Sequence, residues 1–394
     1  CLPMSLTLGS LLGRIEAEPD PGRRFVLFMP RPQGPCRFGA YNLLNQIVLE
    51  RLGLGGRIRL WAPKEQDYFA TFTPDFTFLM VAGFLALDRL QEALLEARPG
   101  CAAAETLDAL HARHELALPA RLEAAARRVQ RLPSVLWQAV SGRLFGLRGL
   151  LAAAAADFAR ARSKCAGPTV LVVGEIFVRL DPFSSGYVVE ELERRGVRVR
   201  LAPFHEWLDY VEHMGRIQGR SRGLAAGIGR FLHDRIRRAT AAAMAPALPR
   251  RPLPGAAESI AAAGAYVPAE LEGEAVLTVG SALHEWRRGA IDGVLSVGPH
   301  ECLPNKIAEA QFQHASREEG LLALSLSLNG EPIDPALLDA FAYEVHARFA
   351  RRNEPGAPEE ARAAKAPWIL PAAPRAPLPS RRGRARARDP VAGG

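Results

Sequence analysis

The sequence predicts an α/β protein built of two flavodoxin-like parallel-sheet units joined by a helical insert, the first unit truncated at its N-terminus. Three observations predict it. Short, wholly apolar runs such as Phe25-Val26-Leu27-Phe28-Met29 and Thr169-Val170-Leu171-Val172-Val173-Gly174 are what strands buried on both faces look like. Segments with helical periodicity alternate with those runs. From about Phe78 to Arg162 the pattern is helical almost without a break and rich in Ala, Leu, Glu and Arg. The expected organisation is a partial α/β unit at 1–75, a helical insert at 76–165, a second α/β unit at 166–352 and a basic, disordered tail at 353–394.

The elements follow in order. Leu2 to Ile15 reads as an amphipathic helix with Leu6, Leu8, Leu11, Leu12 and Ile15 apolar. The first strand ends at Pro30, and a Pro/Gly loop leads to a helix from Phe38 to Leu52 that stops at Gly53. Arg57 to Trp61 is the second strand. In the insert, Pro99, Pro119 and Pro133 mark helix boundaries. The second unit opens with the strand at Thr169, followed by a loop, a helix from Gly186 to Arg195 and a strand from Val197 to Leu201. Helices are expected at 205–214, 220–248, 274–290, 306–319 and 335–351, and strands at 294–297 and 321–328. The chain starts with Cys rather than Met and runs directly into a helical pattern, so strands that would precede it are expected to be missing.

Composition excludes several classes. Hydrophobic residues are 48% and charged residues 23%, ordinary for a globular protein. The formal charge of +8 suggests a nucleic-acid partner only until it is located: Arg375, Arg381, Arg382, Arg384, Arg386 and Arg388 face a single Asp389 in a Pro-, Ala- and Gly-rich tail. No nucleic acid is therefore expected as a partner. Five cysteines, unevenly spaced, make no disulfide framework. The longest apolar run, Phe78 to Leu87, is too short to cross a bilayer, and Val135 to Ala156 is broken by Arg143 and Arg148. Cys1-Leu2-Pro3 lacks the basic leader of a signal peptide. A reduced, cytoplasmic setting without membrane partners is the expectation.

Three cysteines share one setting. Cys36 lies in Gly34-Pro35-Cys36-Arg37-Phe38-Gly39, Cys302 in Gly298-Pro299-His300-Glu301-Cys302-Leu303-Pro304, and Cys1 opens Cys1-Leu2-Pro3; each stands just ahead of a helix. Ligands of open α/β sheets bind in such strand-to-helix loops. The free N–H groups and partial positive charge of a helix start lower a thiol's pKa, and the thiolate is the form that binds metal. Structural zinc commonly uses a close Cys-x-x-Cys pair, which this chain lacks, so widely separated thiolates suit an iron–sulfur cluster better. Three thiolates leave one iron of a 4Fe-4S cluster open, and His300 or Glu301 is a candidate for it. The competing reading is three small buried thiols that pack as hydrophobes. Cys101 and Cys165 lack this context and read as structural.

A second stretch, Gly174-Glu175-Ile176-Phe177-Val178-Arg179-Leu180-Asp181-Pro182, also leaves a buried strand. Glu175, Arg179 and Asp181 are candidate catalytic or substrate-contacting residues there; the alternative is a salt-bridged turn with Asp181 as a helix cap. His205 and Glu206 read as helix-start residues. No Gly-x-Gly-x-x-Gly, Walker A or Gly-x-Ser-x-Gly pattern follows a strand, so the sequence carries no recognisable ATP site.

The cysteine loops, with Leu8-Gly9, Ala40-Tyr41, Asp181-Pro182-Phe183 and Leu303-Pro304-Asn305, resemble the 2-hydroxyacyl-CoA dehydratase / CoA-enzyme activase-related family of anaerobic iron–sulfur proteins, in order from residue 1 to about 350. The resemblance implies flavodoxin-like domains with a 4Fe-4S cluster on Cys1, Cys36 and Cys302. It also implies low-potential electrons from an ATP-dependent activase of the actin/sugar-kinase type, separate or fused, and an acyl-CoA substrate that loses water. Ser5 stands where the family pattern has Lys, and His300-Glu301 where it has Phe-Gly, which puts the substrate in question more than the cluster. The other functions considered are an electron-transfer or regulatory cluster protein without substrate chemistry, and a metal-free α/β binding module.

Overall fold

A computed structural model describes residues 2–32, 36–64, 72–98, 104–127, 131–162, 166–219 and 223–354. Cys1, Cys101, Cys165 and the expected tail lie outside the described residues. The chain is an α/β protein with two sheets, both wholly parallel.

Helix α1 (Leu2–Glu16) precedes strand β1 (Phe25–Phe28), which leads through a short 3-10 turn at Arg37–Ala40 into α2 (Tyr41–Arg51) and then β2 (Ile58–Trp61). β1 and β2 pair in parallel from Phe25↔Ile58 to Phe28↔Trp61. Ile15 of α1, Leu49 of α2 and Ile58 of β2 form their small core.

The helical region holds α3 (Pro74–Ala97), α4 (Ala104–Ala126), α5 (Leu132–Ser141) and α6 (Leu147–Ala161). Its core runs through Ala82, Leu85 and Leu90 of α3, Leu151 and Phe158 of α6, and Ile236 and Met244 from far along the chain. Those last two belong to α10 (Leu224–Met244), a helix whose apolar side packs here and not on the sheet that flanks it in sequence. The helical layer is therefore completed from beyond residue 165. α4 continues through Pro119, where the sequence suggested a boundary, because Leu118 and Leu122 on either side pack against the α3 core. Among the described residues no single helix is long and apolar enough to cross a membrane, and α5 and α6, which pass together by composition, are bent by 76°.

The larger sheet is formed by β3 (Thr169–Gly174), β4 (Arg198–Leu201), β5 (Gly293–Pro299) and β6 (Ala323–Leu328), in the spatial order β4-β3-β5-β6. Counted within the unit this is 2-1-3-4, the start of the flavodoxin-like order. β3 and β5 are buried at every position, as central parallel strands are. Leu171 and Val173 face a core with α9 (His205–Ile217), α11 (Ala256–Ala263), α12 (Glu274–Arg287) and α13 (Leu303–Glu319). Val170 and Val172 face the opposite core, with α8 (Val188–Arg194) and α14 (Pro335–Asn353). A five-residue helix, α7 (Ile176–Leu180), follows β3 immediately where a loop was expected, because Glu175 caps it.

Candidate functional site

Cys302 is held by the end of β5. Gly298 allows the Asn305 side chain to lie against the strand; a Cβ there would sit 2.6 Å from Asn305 Nδ2. Ser296 Oγ donates to Asn305 Oδ1 at 2.9 Å, fixing the first turn of α13 on the strand that precedes it. Between them the chain turns through Glu301 at φ 56, the left-handed region that favours glycine. Cys302 is then the residue that caps α13, its N–H donating to Pro299 O at 3.0 Å, with Pro304 in the first turn where no donor is needed.

Cys36 occupies the matching place beyond β1, just before the 3-10 turn that starts α2. The two loops meet: Arg37 Nη2 lies 3.7 Å from Glu301 Oε2. Tyr41, the first residue of α2, is buried beside this junction. Its hydroxyl is held well above the usual range by burial first, then by the charges of Glu175, Cys36 and Cys302. The Arg37–Glu301 contact brings the loops beyond β1 and β5 to one place.

Glu175 reaches this place from β3. Gly174, at φ 112, lies so near β5 that a Cβ would fall 2.0 Å from Val297 O, and the Glu175 N–H donates to that same oxygen at 2.9 Å. The Glu175 carboxylate accepts from the Val178 N–H at 2.8 Å, and burial pushes its pKa up. Arg179 turns inward, only 2% exposed. It donates to Gly174 O (2.6 Å), Ala202 O (2.9 Å), Pro203 O (3.1 Å) and Glu206 Oε1 (2.5 Å), and its Nη1 lies 3.8 Å from Glu274 Oε1. With its donors committed to the protein, Arg179 positions the site. Asp181 accepts from the Ser184 N–H at 2.7 Å and from the Ser184 hydroxyl, so it shapes the turn after α7.

Two carboxylates, Glu206 and Glu274, therefore share one guanidinium. Burial drives the pKa of Glu175, Glu206 and Glu274 upward, and in Glu274, raised furthest, the charges of Glu175 and Glu206 add to it. Cys302 feels the same surroundings. Burial first, then Glu274, Glu175 and Cys36, push its thiol up to about 12 against the opposing Asn305 N–H. The helix start alone was expected to lower this thiol, but the Asn305 N–H supplies only one favourable contact against burial and three negative neighbours.

Cys36 and Cys302 each stand just ahead of a helix and their loops touch through Arg37 and Glu301, while the side chains of His300 and Glu301 are largely exposed, at 67% and 65%. Glu274 and the buried role of Glu206 carried no sequence signal beyond their places in the first turns of helices, and Tyr41 none beyond its place in the resembled Ala40-Tyr41 motif. Among the described residues, no three Cys, His, Asp or Glu side chains form a group able to hold a single metal ion. No family model, no curated protein and no solved structure matches the chain.

Proposed function

We propose that this chain is a 4Fe-4S protein that binds its cluster through Cys1, Cys36 and Cys302, accepts low-potential electrons from an ATP-dependent activase, and acts on an acyl-CoA. The observation that carries the reading is the meeting of the Cys36 and Cys302 loops, from two different sheets, through Arg37 and Glu301, with both thiols half-buried and Tyr41 buried beside them. Two helix starts there offer N–H groups to anionic sulfur, and the acidic lining is the kind that a cationic group compensates. The left-handed backbone at Glu301 also suits the glycine that the resembled family has at this position.

The residues divide the work by location. Cys36 and Cys302 would bind; Arg179 fixes the ends of β3 and β4 and the start of α9; Glu175, raised by burial, holds a proton more readily than an ordinary carboxylate, and the raised Tyr41 phenol stays protonated. When bound, a cluster of this kind supplies single electrons at low potential. The acyl-CoA and activase assignments come from the family resemblance. Calorimetry on the anaerobic protein tests the first: binding of an acyl-CoA supports an enzyme, and absence of binding with the cluster present leaves electron transfer alone. Reduction of the cluster by an actin/sugar-kinase-type activase, dependent on ATP hydrolysis, tests the second.

A further inference from the structure

Outside the tail, positive charge gathers in two stretches that meet in the helical layer. Residues 131–156 hold Arg131, Arg143 and Arg148 and no acid, and residues 223–240 hold Arg230, Arg235, Arg237 and Arg238 against Asp234 alone. The first stretch forms α5 and the start of α6, the second most of α10. Arg235 donates to Val140 O, and a Cβ on Gly142 would lie 3.5 Å from both Ala239 Cβ and Arg148 Nη1. Among the described residues Arg131, Arg143, Arg148 and Arg230 have no ion pair. Asp234 is already held by Arg237 and Arg238.

The same surface is apolar where a solvated face would be polar. α5 sends Val135 and Ala139 into the core, yet Trp137 and Val140, three residues apart on its outer face, are 59% and 49% exposed. α10 buries Leu232 and Ile236, while Leu224 and Phe231, seven apart and so on one stripe, are 82% and 47% exposed. Phe231 stands one turn before Arg235, the residue that joins α10 to Val140. A single exposed apolar side chain is ordinary. Four along two joined helices, set among unpaired arginines, mark an interaction surface.

We propose that the α5–α10 surface docks onto an anionic lipid bilayer. Trp137, Val140, Leu224 and Phe231 enter the boundary between headgroups and acyl chains, and Arg131, Arg143, Arg148 and Arg230 meet lipid phosphates. The pairing of charge with apolar bulk chooses this partner, because such a bilayer is negative at its surface and apolar just beneath it. A nucleic acid would use the arginines and stack on the two aromatic rings, but would leave Leu224 and Val140 in water. Docking of this kind needs no helix that crosses the membrane, and it does not depend on the iron–sulfur reading.

The test uses the full chain, sedimented with vesicles of about three parts phosphatidylglycerol to seven of phosphatidylcholine and with pure phosphatidylcholine. The chain should bind the anionic vesicles, bind the neutral ones about tenfold more weakly, and be released as salt rises. R143Q combined with R230Q should weaken anionic binding about tenfold, and W137S combined with F231S should weaken it comparably. Brominated phosphatidylcholine in the anionic vesicles should quench the tryptophan fluorescence of the wild type, and W137F should lose most of that quenching. Should a serine or glutamine variant fail to fold, the wild type decides alone, since an unquenched chain would overturn the proposal. No binding to anionic vesicles would overturn it too. So would binding and quenching that are unchanged in the variants, which would place the contact elsewhere, the arginines from Arg375 to Arg388 included. Tighter binding to single-stranded RNA, lost in the same variants, would overturn it in favour of nucleic acid.

Discussion

Replacing Arg179 by Met keeps the volume of the side chain and removes its charge. Arg179 is buried, donates to three carbonyl oxygens and Glu206, and is the cation nearest Glu274. Breaking a buried ion pair by deleting one partner costs about 3–5 kcal/mol, since the other charge stays in place. Here the orphaned carboxylates already bind protons more readily than usual because of burial. Without Arg179 their folded-state pKa values rise further. A group whose pKa is raised by folding contributes stability that is present at low pH and lost as pH climbs through the folded value. The R179M penalty should therefore grow as pH rises above the ordinary carboxylate range, by up to about 1.4 kcal/mol per pH unit for each carboxylate that is ionised in the wild-type fold and the unfolded chain but stays protonated in the variant. Urea unfolding followed by circular dichroism at several pH values measures it. A loss under about 1 kcal/mol, or one that does not change with pH, would refute the account of Arg179 as the shared cation.

Other outcomes follow from the same geometry. G298A should cost about 1–3 kcal/mol, because the new methyl overlaps the Asn305 side chain at 2.6 Å, and should also reduce bound iron by displacing Cys302. G280A, whose Cβ would lie 2.0 Å from Ser259 O between α11 and α12, should destabilise comparably yet leave iron stoichiometry unchanged, a comparison read by thermal unfolding and iron assay. E301G relaxes a left-handed backbone and gives up only an exposed contact with Arg37, so it should be stabilising by about 0.5–1 kcal/mol in denaturant titrations. Glu193 is raised to about 7 by burial, opposed by Arg98. It contributes stability below the ordinary carboxylate pKa that is lost as pH rises through about 7, and E193Q should flatten that part of the stability–pH profile.

Much of the fold is legible in the sequence because its central strands are extreme. β3 and β5 are covered on both faces, so their apolar runs need no alternation to stand out. Boundaries fail where side chains decide them: α7 begins because Glu175 caps it, and α4 survives Pro119 because Leu118 and Leu122 are held by α3. The membership of α10 in the helical core is a tertiary choice that its amphipathic pattern does not specify, as an apolar face does not name its partner. At the site, the places of Cys36 and Cys302 between strand and helix are legible in the sequence. The inward turn of Arg179 is not, since its partners Ala202, Pro203 and Glu206 lie more than twenty residues on and reach it only when β4 and α9 are packed. Glu274 was hidden for the same reason: its burial beside Arg179 arises only when α7 and α12 are packed together.

Iron and acid-labile sulfide in protein purified and reconstituted without oxygen are the most direct measurement of the central claim. The account predicts a brown protein with about four irons and as many sulfides per chain, falling sharply in C1A, C36A and C302A while each variant stays folded. A folded wild-type chain with no iron, or one whose iron is untouched by loss of Cys36 and Cys302, would contradict it.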